Sequence, residues 1–170
     1  MTIKQISIIA AVDLDYGFGK DGKIPWHYPE DFKFFKKKTE NSVVIMGKAT
    51  YDDLVGYTKD GNFLPTRECI VLTSSTETPQ FENVTFVTNH TDALEKARTF
   101  DREVFYIGGE SIFSYGLNVA DVVYLTHINK YFDCDKFFPF DKLTGNFTLG
   151  TIRASEKHPE LTYKTYLRNA

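Results

Sequence analysis

Short, nearly continuous runs of apolar residues are the most regular feature along this chain. Five of them read ISIIAAV (6–12), VVIMG (43–47), CIVLT (69–73), VFYIGG (104–109) and VVYLTHI (122–128). Continuous rather than alternating apolarity is typical of strands that are covered on both faces, as in parallel sheets. The pattern therefore predicts a mainly parallel central sheet.

The segments between these runs predict flanking helices, and the C-terminal part predicts a hairpin. The helix candidates are 29–39, 48–55, 91–99 and 110–117. Near the C-terminus, NFTLGTIRASE and LTYKTYLRN alternate apolar and polar residues on either side of KHP, which is typical of an antiparallel hairpin. We expect a single α/β domain over residues 1–170, with a mainly parallel central sheet, flanking helices and an antiparallel C-terminal edge hairpin.

Composition narrows the possible classes of function. A chain of 170 residues with 42% apolar and 25% charged residues is typical of a soluble globular protein, and its net charge of −3 argues against electrostatic binding to nucleic acid. No apolar stretch has the length of a membrane span, and the N-terminus lacks a signal-peptide pattern. Two cysteines, and four histidines without metal-ligand spacing, predict a cytoplasmic protein without a metal.

The segment IPWHYPEDF (24–32) places two acids at a predicted helix start. Its second proline suits the first helical position, so that Glu30 and Asp31 lie in the first turn, where the helix dipole favours negative charge. An ordinary helix start would account for this pattern. However, Phe32 and Phe35 mark the buried side of the helix, and an acid beside that side can be dehydrated, which raises its pKa.

Two glycine motifs raise the question of phosphate binding. GFGKDG (17–22) matches the dinucleotide-binding pattern, but no helix candidate follows it directly, and we interpret it as a mobile lid loop. Gly108 and Gly109 end a buried strand just before a helix candidate, where backbone N–H groups can face an anion. A plain strand-to-helix turn would look similar.

The order and spacing of several blocks resemble the dihydrofolate reductase family over nearly the whole chain. These blocks are ISIIAAVD, IPWHYPEDFKFFKKKT, VVIMGKATYDDL, LPTRECIVLTSS, YIGGESIF and YLTHI. The resemblance implies that NADPH delivers hydride to C6 of 7,8-dihydrofolate while a proton reaches N5. The product, 5,6,7,8-tetrahydrofolate, would support one-carbon metabolism and thymidylate synthesis. The resemblance also implies a monomer that antifolates inhibit.

Three residues match the family's catalytic positions. Asp31 would bind the amino-pyrimidine edge of the pterin and raise the proton affinity of the ring, with the proton arriving through water. Thr126 would hydrogen-bond that carboxylate, although an ordinary strand threonine would look the same. Trp26 would hold the water and pack the lid.

The remaining positions that the resemblance implies are binding positions. Those for substrate are Ile9, Ala11, Asp31, Phe32, Phe35, Leu54, Arg67, Ile107 and Thr126. Those for NADPH are Ala11, Gly19, Lys48, Ala49, Thr50, Thr73, Ser74, Ser75, Ile107, Gly108, Gly109, Glu110, Ser111 and Ile112. Arg67 would pair the α-carboxylate of the substrate's glutamate, for which a planar guanidinium is suited. Lys48 and Ser74 would take the 2′-phosphate, but Lys48 stands where many relatives carry arginine, so the preference over NADH is less strongly specified.

Two other functions fit parts of the same pattern. The riboflavin-pathway reductase shares the fold and uses NADPH, but it does not require the acid in PWHYPEDF. A catalytically silent folate- or nucleotide-binding protein would also keep the fold, since fold does not determine function. The joint presence of Trp26, Asp31, Arg67 and Thr126 argues against a silent protein.

Overall fold

A computed structural model describes residues 4–170 as alternating strands and helices. The helices are α1 (Pro29–Thr39), α2 (Lys48–Val55), α3 (His90–Arg98), α4 (Glu110–Val119) and α5 (Phe140–Thr144). The strands are β1 (Ile6–Val12), β2 (Gly17–Gly19), β3 (Val43–Gly47), β4 (Glu68–Leu72), β5 (Val84–Val87), β6 (Val104–Tyr106), β7 (Val122–Ile128), β8 (Lys136–Phe137), β9 (Phe147–Ala154) and β10 (Leu161–Arg168).

The main sheet has eight strands in the order β5-β4-β3-β6-β1-β7-β10-β9. The pairings from β5 across to β7 are all parallel. The last two pairings, of β10 with β7 and with β9, are antiparallel. The predicted fold class, a mainly parallel sheet with an antiparallel C-terminal edge hairpin, is therefore confirmed.

Each face of this sheet carries its own hydrophobic core. Ile8 and Ile45 belong to the core that α3, α4 and α5 cover, whereas their neighbours Ile9 and Val44 belong to the core that α1 and α2 cover. Successive side chains of a strand point to opposite faces, so a run buried on both sides must be apolar at every position. This is the physical origin of the continuous apolar runs in the sequence.

Most predicted element boundaries agree with the structure. Helices α1 and α2 begin and end as predicted, and α3 begins at His90 because the Asn89 side chain accepts a hydrogen bond from the N–H of Asp92 at 2.8 Å. Strand β6 is shorter than predicted, since it ends at Tyr106. The sequence analysis missed β2, β5, β8 and α5, which are too short to show a hydrophobic period.

The segment that follows β1 is attached to the segment before β8. Asp13 is fully buried, and its Oδ1 accepts hydrogen bonds from the N–H groups of Asp15 and Gly17 at 2.9 and 2.8 Å. Its Oδ2 accepts one from the N–H of Phe132 at 3.1 Å.

The next helix after GFGKDG begins only at Pro29, which excludes a dinucleotide-binding unit at this motif.

Across residues 4–170, no helix has the length and apolarity needed to cross a membrane. Within the same part of the chain, no group of histidine, cysteine, aspartate and glutamate side chains is arranged to hold a metal ion. Cys69 and Cys134 are both free thiols, and burial raises the pKa of Cys69 to about 12. This value makes Cys69 a packing residue rather than a reactive one.

Gly17→Ala should loosen the contact between β2 and β8. A Cβ at Gly17 would lie 2.3 Å from the Cβ of Cys134, and neither atom can move without its backbone. We expect the free energy of unfolding, measured by urea denaturation, to fall by roughly 1–3 kcal/mol.

The matched control for this substitution is Gly145→Ala. A Cβ at Gly145 meets no atom within 4 Å and the φ angle there is −84°, so the change should stay within about 0.5 kcal/mol. In a Cys134→Gly background, Gly17→Ala should lower the free energy of unfolding by much less than it does in the wild type. An equal cost in both backgrounds would show that the contact with Cys134 is not its cause.

Candidate active site

A cavity of about 550 Å³ opens beside the first turn of α1. Its wall contains four residues that the sequence analysis singled out, namely Trp26, Asp31, Phe32 and Leu54. The volume is within the range of roughly 300–1,000 Å³ that small-molecule sites occupy. Apolar side chains and the Asp31 carboxyl therefore share a wall that can receive a ligand.

The Asp31 carboxyl is held by a hydrogen bond from the sheet. Thr126 Oγ1 donates to Asp31 Oδ1 at 2.8 Å. Asp31 is in the first turn because α1 begins with Pro29 at its N-terminus, and Thr126 lies buried on β7, paired with Ala11 of β1. The predicted contact between these two catalytic candidates is present in the structure.

Burial raises the pKa of Asp31 from its ordinary value of 3.8 to about 6. The hydrogen bond from Thr126 opposes this change because it stabilises the charged form, and the negative charge of Glu30 adds to it. A carboxyl with a pKa near neutrality can exist in both protonation states at working pH. This is the property that the sequence analysis expected of Asp31.

Glu30 is held by two hydroxyl groups of the C-terminal hairpin, which the sequence analysis did not foresee. Ser155 Oγ donates to Glu30 Oε1 at 2.7 Å, and the Tyr163 hydroxyl donates to Oε2 at 2.6 Å. The Tyr163 bond is the largest cause that lowers the pKa of Glu30. Separations of 125 and 133 residues hid these partners from any local pattern.

The other predicted substrate positions divide between the cavity wall and the layer behind it. Phe32 is 40% exposed and lines the cavity together with Leu54. Phe35 packs into the core on this side of the sheet, with its ring centroid 6.4 Å from that of Phe32. Phe35 therefore supports the wall from behind.

Arg67 is buried and already bonded to its surroundings. Its Nε donates to Thr39 Oγ1 at 3.1 Å, and one terminal nitrogen donates to the Pro65 carbonyl at 2.6 Å and to Thr66 Oγ1 at 3.2 Å. The other terminal nitrogen donates to the Lys36 carbonyl. Within residues 4–170 one of its five N–H groups is left without a protein acceptor. Its guanidinium is therefore held in one orientation, through bonds to the carbonyls of Pro65 and Lys36, two residues that line the cavity.

Helices α2 and α4 begin side by side, after the neighbouring strands β3 and β6. Their N-caps are Gly47 and Gly109, which provide no capping side chain, and the Gly47 N–H donates to the Gly108 carbonyl at 2.8 Å. Gly108 has a φ of +124°, which favours glycine, and its peptide bond to Gly109 is cis. Two adjacent helix starts without side-chain caps offer N–H groups to an anion, so this edge fits a pyrophosphate.

The first turns of these helices contain six of the fourteen predicted cofactor positions. They are Lys48, Ala49 and Thr50 in α2, and Glu110, Ser111 and Ile112 in α4. Ile112 is buried in the core, so only its backbone can face a ligand, whereas Glu110 and Ser111 are exposed. A carboxylate at position 110 already occupies the region that favours negative charge at this helix start.

Lys48 is engaged with its own helix, since its Nζ lies 2.8 Å from Asp52 Oδ1. That hydrogen bond is the largest cause that raises the pKa of Lys48. Thr73, Ser74 and Ser75 follow β4, which pairs with β3, and the Ser75 N–H donates to Thr73 Oγ1 at 3.0 Å. Ser74 is exposed. These residues therefore lie at the same edge of the sheet as the start of α2.

The remaining predicted positions lie between this edge and Asp31. Ile9 and Ala11 are on β1, which lies between β6 and β7. Ile107 directly follows β6, and its N–H donates to the Ile45 carbonyl at 2.9 Å. Gly19 ends β2 and pairs with Lys136 of β8. Ile9, Ala11 and Ile107 therefore lie on or directly after central strands of the main sheet, whereas Gly19 belongs to the separate two-stranded sheet of β2 and β8.

Comparison with known proteins agrees with this geometry. The family model described as dihydrofolate reductase matches residues 5–168. The chain belongs to the dihydrofolate reductase family. Among curated dihydrofolate reductases, that of Bacillus subtilis is 36% identical over 81% of this chain and 78% of its own length. That of Haemophilus influenzae is 38% identical over 78% of each chain.

A solved dihydrofolate reductase has the same fold. The structure from Enterococcus faecalis, complexed with NADP(H) and RAB-propyl, aligns with a TM-score of 0.83 at 32% identity and covers 98% of this chain and 97% of its own. The alternative assignment to the riboflavin-pathway reductase is set aside by these matches. The activity of a dihydrofolate reductase is the NADPH-dependent reduction of 7,8-dihydrofolate to 5,6,7,8-tetrahydrofolate, and this chain is an oxidoreductase of that kind.

Asp31→Asn should stabilise the fold of this chain near neutral pH. The folded pKa of about 6 exceeds the ordinary value of 3.8, so the folded state binds more protons between these values and ionisation of Asp31 at higher pH costs stability. Removing the charge should raise the free energy of unfolding by on the order of 1–3 kcal/mol at neutral pH, measured by urea denaturation. The gain should disappear as the pH falls through the ordinary value.

Asp15→Asn is the control for this change, because Asp15 is exposed and loses the same charge. It should alter stability by less than about 0.5 kcal/mol at any pH. A gain from Asp31→Asn that is independent of pH would show that burial of its charge is not the cause.

Proposed function

We propose that this chain reduces 7,8-dihydrofolate in the cavity beside α1, with hydride transfer to C6 and protonation of N5. The observation that carries the proposal is the 2.8 Å hydrogen bond from Thr126 to Asp31 at the wall of that cavity. Thr126 uses one lone pair of Oδ1, which leaves Oδ2 and the other lone pair for ligand N–H groups. A carboxylate with two free acceptor positions suits the paired N–H donors of an amino-pyrimidine.

The role we assign to Asp31 is electrostatic rather than direct proton donation. An ionised carboxylate bound to the pterin raises the proton affinity of the ring, and the proton reaches N5 through water. We assign the placement of that water to Trp26, whose ring packs against Phe132 at a centroid distance of 5.2 Å. The apolar wall supports this mechanism because charge interactions are stronger where water is excluded.

We assign the rest of the substrate to the wall that leads away from Asp31. Phe32 and Leu54 would contact the pterin and aminobenzoyl groups, with Phe35 behind them. Arg67 would bind the glutamate α-carboxylate through its one free N–H and the charge of the guanidinium. Its bonds to Thr39 and Pro65 hold the group in one orientation, which lowers the entropy cost of binding.

NADPH, when bound, supplies the hydride. We assign its pyrophosphate to the first turns of α2 and α4, at Ala49, Thr50, Ser111 and Ile112, with Gly108 and Gly109 allowing close approach. Its 2′-phosphate is assigned to Lys48 with the Thr73–Ser75 segment, which requires Lys48 to turn away from Asp52. Backbone groups of Ile9, Ala11, Gly19 and Ile107 would border the nicotinamide.

We further propose that the chain acts as a monomeric single domain in the cytoplasm and that antifolates inhibit it. All positions assigned above come from one chain, so the proposed site does not require a second copy. The free thiols of Cys69 and Cys134 are typical of proteins in reducing compartments. A cavity that accepts a pterin would accept inhibitors that carry the same amino-pyrimidine edge.

The direct test of the proposed function is the loss of NADPH absorbance with and without dihydrofolate. We expect consumption that depends on dihydrofolate. Asp31→Asn should lower turnover near neutral pH by roughly two or more orders of magnitude, with partial recovery at lower pH, where solution supplies protonated substrate.

Two results would count against this assignment. A folded protein that binds both ligands without turnover would be a silent binder. An unchanged pH profile in Asp31→Asn would remove Asp31 from the mechanism.

Arg67→Lys tests the assignment of the glutamate tail while it keeps the positive charge. The tail lies far from the reacting bond, so its contact is the same in the ground and transition states. We expect KM for dihydrofolate to rise about tenfold while kcat changes little, as for the loss of one charge-assisted hydrogen bond. The measurement is steady-state kinetics.

The control for Arg67→Lys is a pterin substrate without the glutamate tail, which has no carboxylate to lose. Wild type and variant should reduce it equally well. If the variant weakens both substrates by the same factor, Arg67 acts through its bonds to Thr39, Pro65 and Lys36, and its assignment to the substrate fails.

A further inference from the structure

Glu30 and Asp31 are consecutive carboxylates that bond to different strands. Asp31 accepts its hydrogen bond from Thr126 on β7, and Glu30 accepts one from Tyr163 on β10. Thr126 and Tyr163 are paired directly across the antiparallel contact of β7 and β10. Ser155, just after β9, gives Glu30 its second hydrogen bond. The first turn of α1 is therefore attached to the sheet at three points.

The two carboxylates face different surroundings. Asp31 lines the cavity of about 550 Å³, whereas Glu30 faces a separate groove between α1 and the C-terminal hairpin. Two hydroxyl donors stabilise the negative charge of Glu30. For Asp31, the single donor, Thr126, lowers the pKa by less than burial raises it. Glu30 therefore remains a fixed negative charge while its neighbour can change protonation state.

We propose that Glu30 is a positioning residue of the reduction, which holds Asp31 against Thr126 and supplies a negative charge that favours a proton at the reacting site. The proposal rests on the proposed function of Asp31. Glu30 itself does not line the cavity and would not touch the substrate. Its effect passes through the helix turn and through the electrostatic field.

Other charged groups face this pair from the neighbouring elements. Near Glu30, Arg153 of β9 and His158 both lower its pKa, and their effect is smaller than that of the Tyr163 hydrogen bond. The groove that Glu30 faces is also lined by Lys33, Lys37, Glu156 and Lys157. The cavity that Asp31 faces is also lined by His27, Lys36, Lys59 and Asp60. Among these charged groups, Glu30 is the one whose charge raises the pKa of Asp31.

Glu30→Gln is the decisive variant, because it keeps the size of the side chain and an oxygen acceptor while it removes the charge. We expect the titration midpoint of Asp31 in the free protein, followed by carbon-13 NMR of its carboxyl, to fall by roughly half a pH unit to one unit. The midpoint of the pH profile of hydride transfer should fall with it. Above that midpoint the rate should be about three- to tenfold lower, and the plateau at low pH should be unchanged.

Two further variants separate charge from anchoring. Glu156→Gln removes the same charge from the same groove, at a residue that does not act on the pKa of Asp31, and it should leave both midpoints in place. Tyr163→Phe keeps the charge of Glu30 but removes a hydrogen-bond donor, so the low-pH plateau should fall without a drop in the midpoint. A lower midpoint in either variant equal to that of Glu30→Gln would overturn the proposal.

The NMR titration of Asp31 and the pH profile of the rate test different parts of the proposal. If Asp31 is not part of the mechanism, its carboxyl midpoint still falls in Glu30→Gln while the rate profile does not follow it. If the carboxyl midpoint does not move in Glu30→Gln, Glu30 is an ordinary anchor of α1 and the inference is wrong, whatever the activity.

Discussion

The hydrogen bond from Thr126 to Asp31 is the contact on which the functional part of this structure depends. It joins the first turn of α1 to a buried strand, and it keeps a carboxyl group at the wall of the cavity beside apolar rings. Burial alone would favour a permanently neutral acid, whereas the donor from Thr126 stabilises the charged form. The balance of these effects places the pKa of Asp31 at about 6, where the group can be charged or neutral near neutral pH.

The parallel sheet fixes where the glycine pair and the starts of α2 and α4 lie relative to that hydrogen bond. Strand β1 lies between β6 and β7, so the glycine pair after β6 and Thr126 on β7 are separated by one strand. The starts of α2 and α4 present N–H groups without side-chain caps at one end of the sheet, and the first turn of α1 places the Asp31 carboxyl at the wall of the cavity. This arrangement supports the proposal that an anionic cofactor binds beside the pterin, because hydride transfer requires two ligands held close together.

The same arrangement has a cost in stability. A carboxyl whose folded pKa lies above its unfolded pKa destabilises the protein when it ionises. The C-terminal hairpin offsets part of this cost, because its hydroxyl groups anchor the neighbouring Glu30 and hold the helix turn to the sheet. The antiparallel hairpin therefore anchors the helix turn that carries Asp31.

The sequence alone determined the fold class and the chemistry of the site. Continuous apolar runs predict buried parallel strands because both faces must be apolar, and the motif around Asp31, with YLTHI and YIGGESIF, pointed to the family. Only the tertiary structure decided the partners of each group, namely the hydroxyls on Glu30, the buried bonds of Arg67 and the salt bridge of Lys48. The physical reason is that side-chain periodicity reports which face a residue occupies, whereas a hydrogen bond depends on which distant strand lies opposite that face.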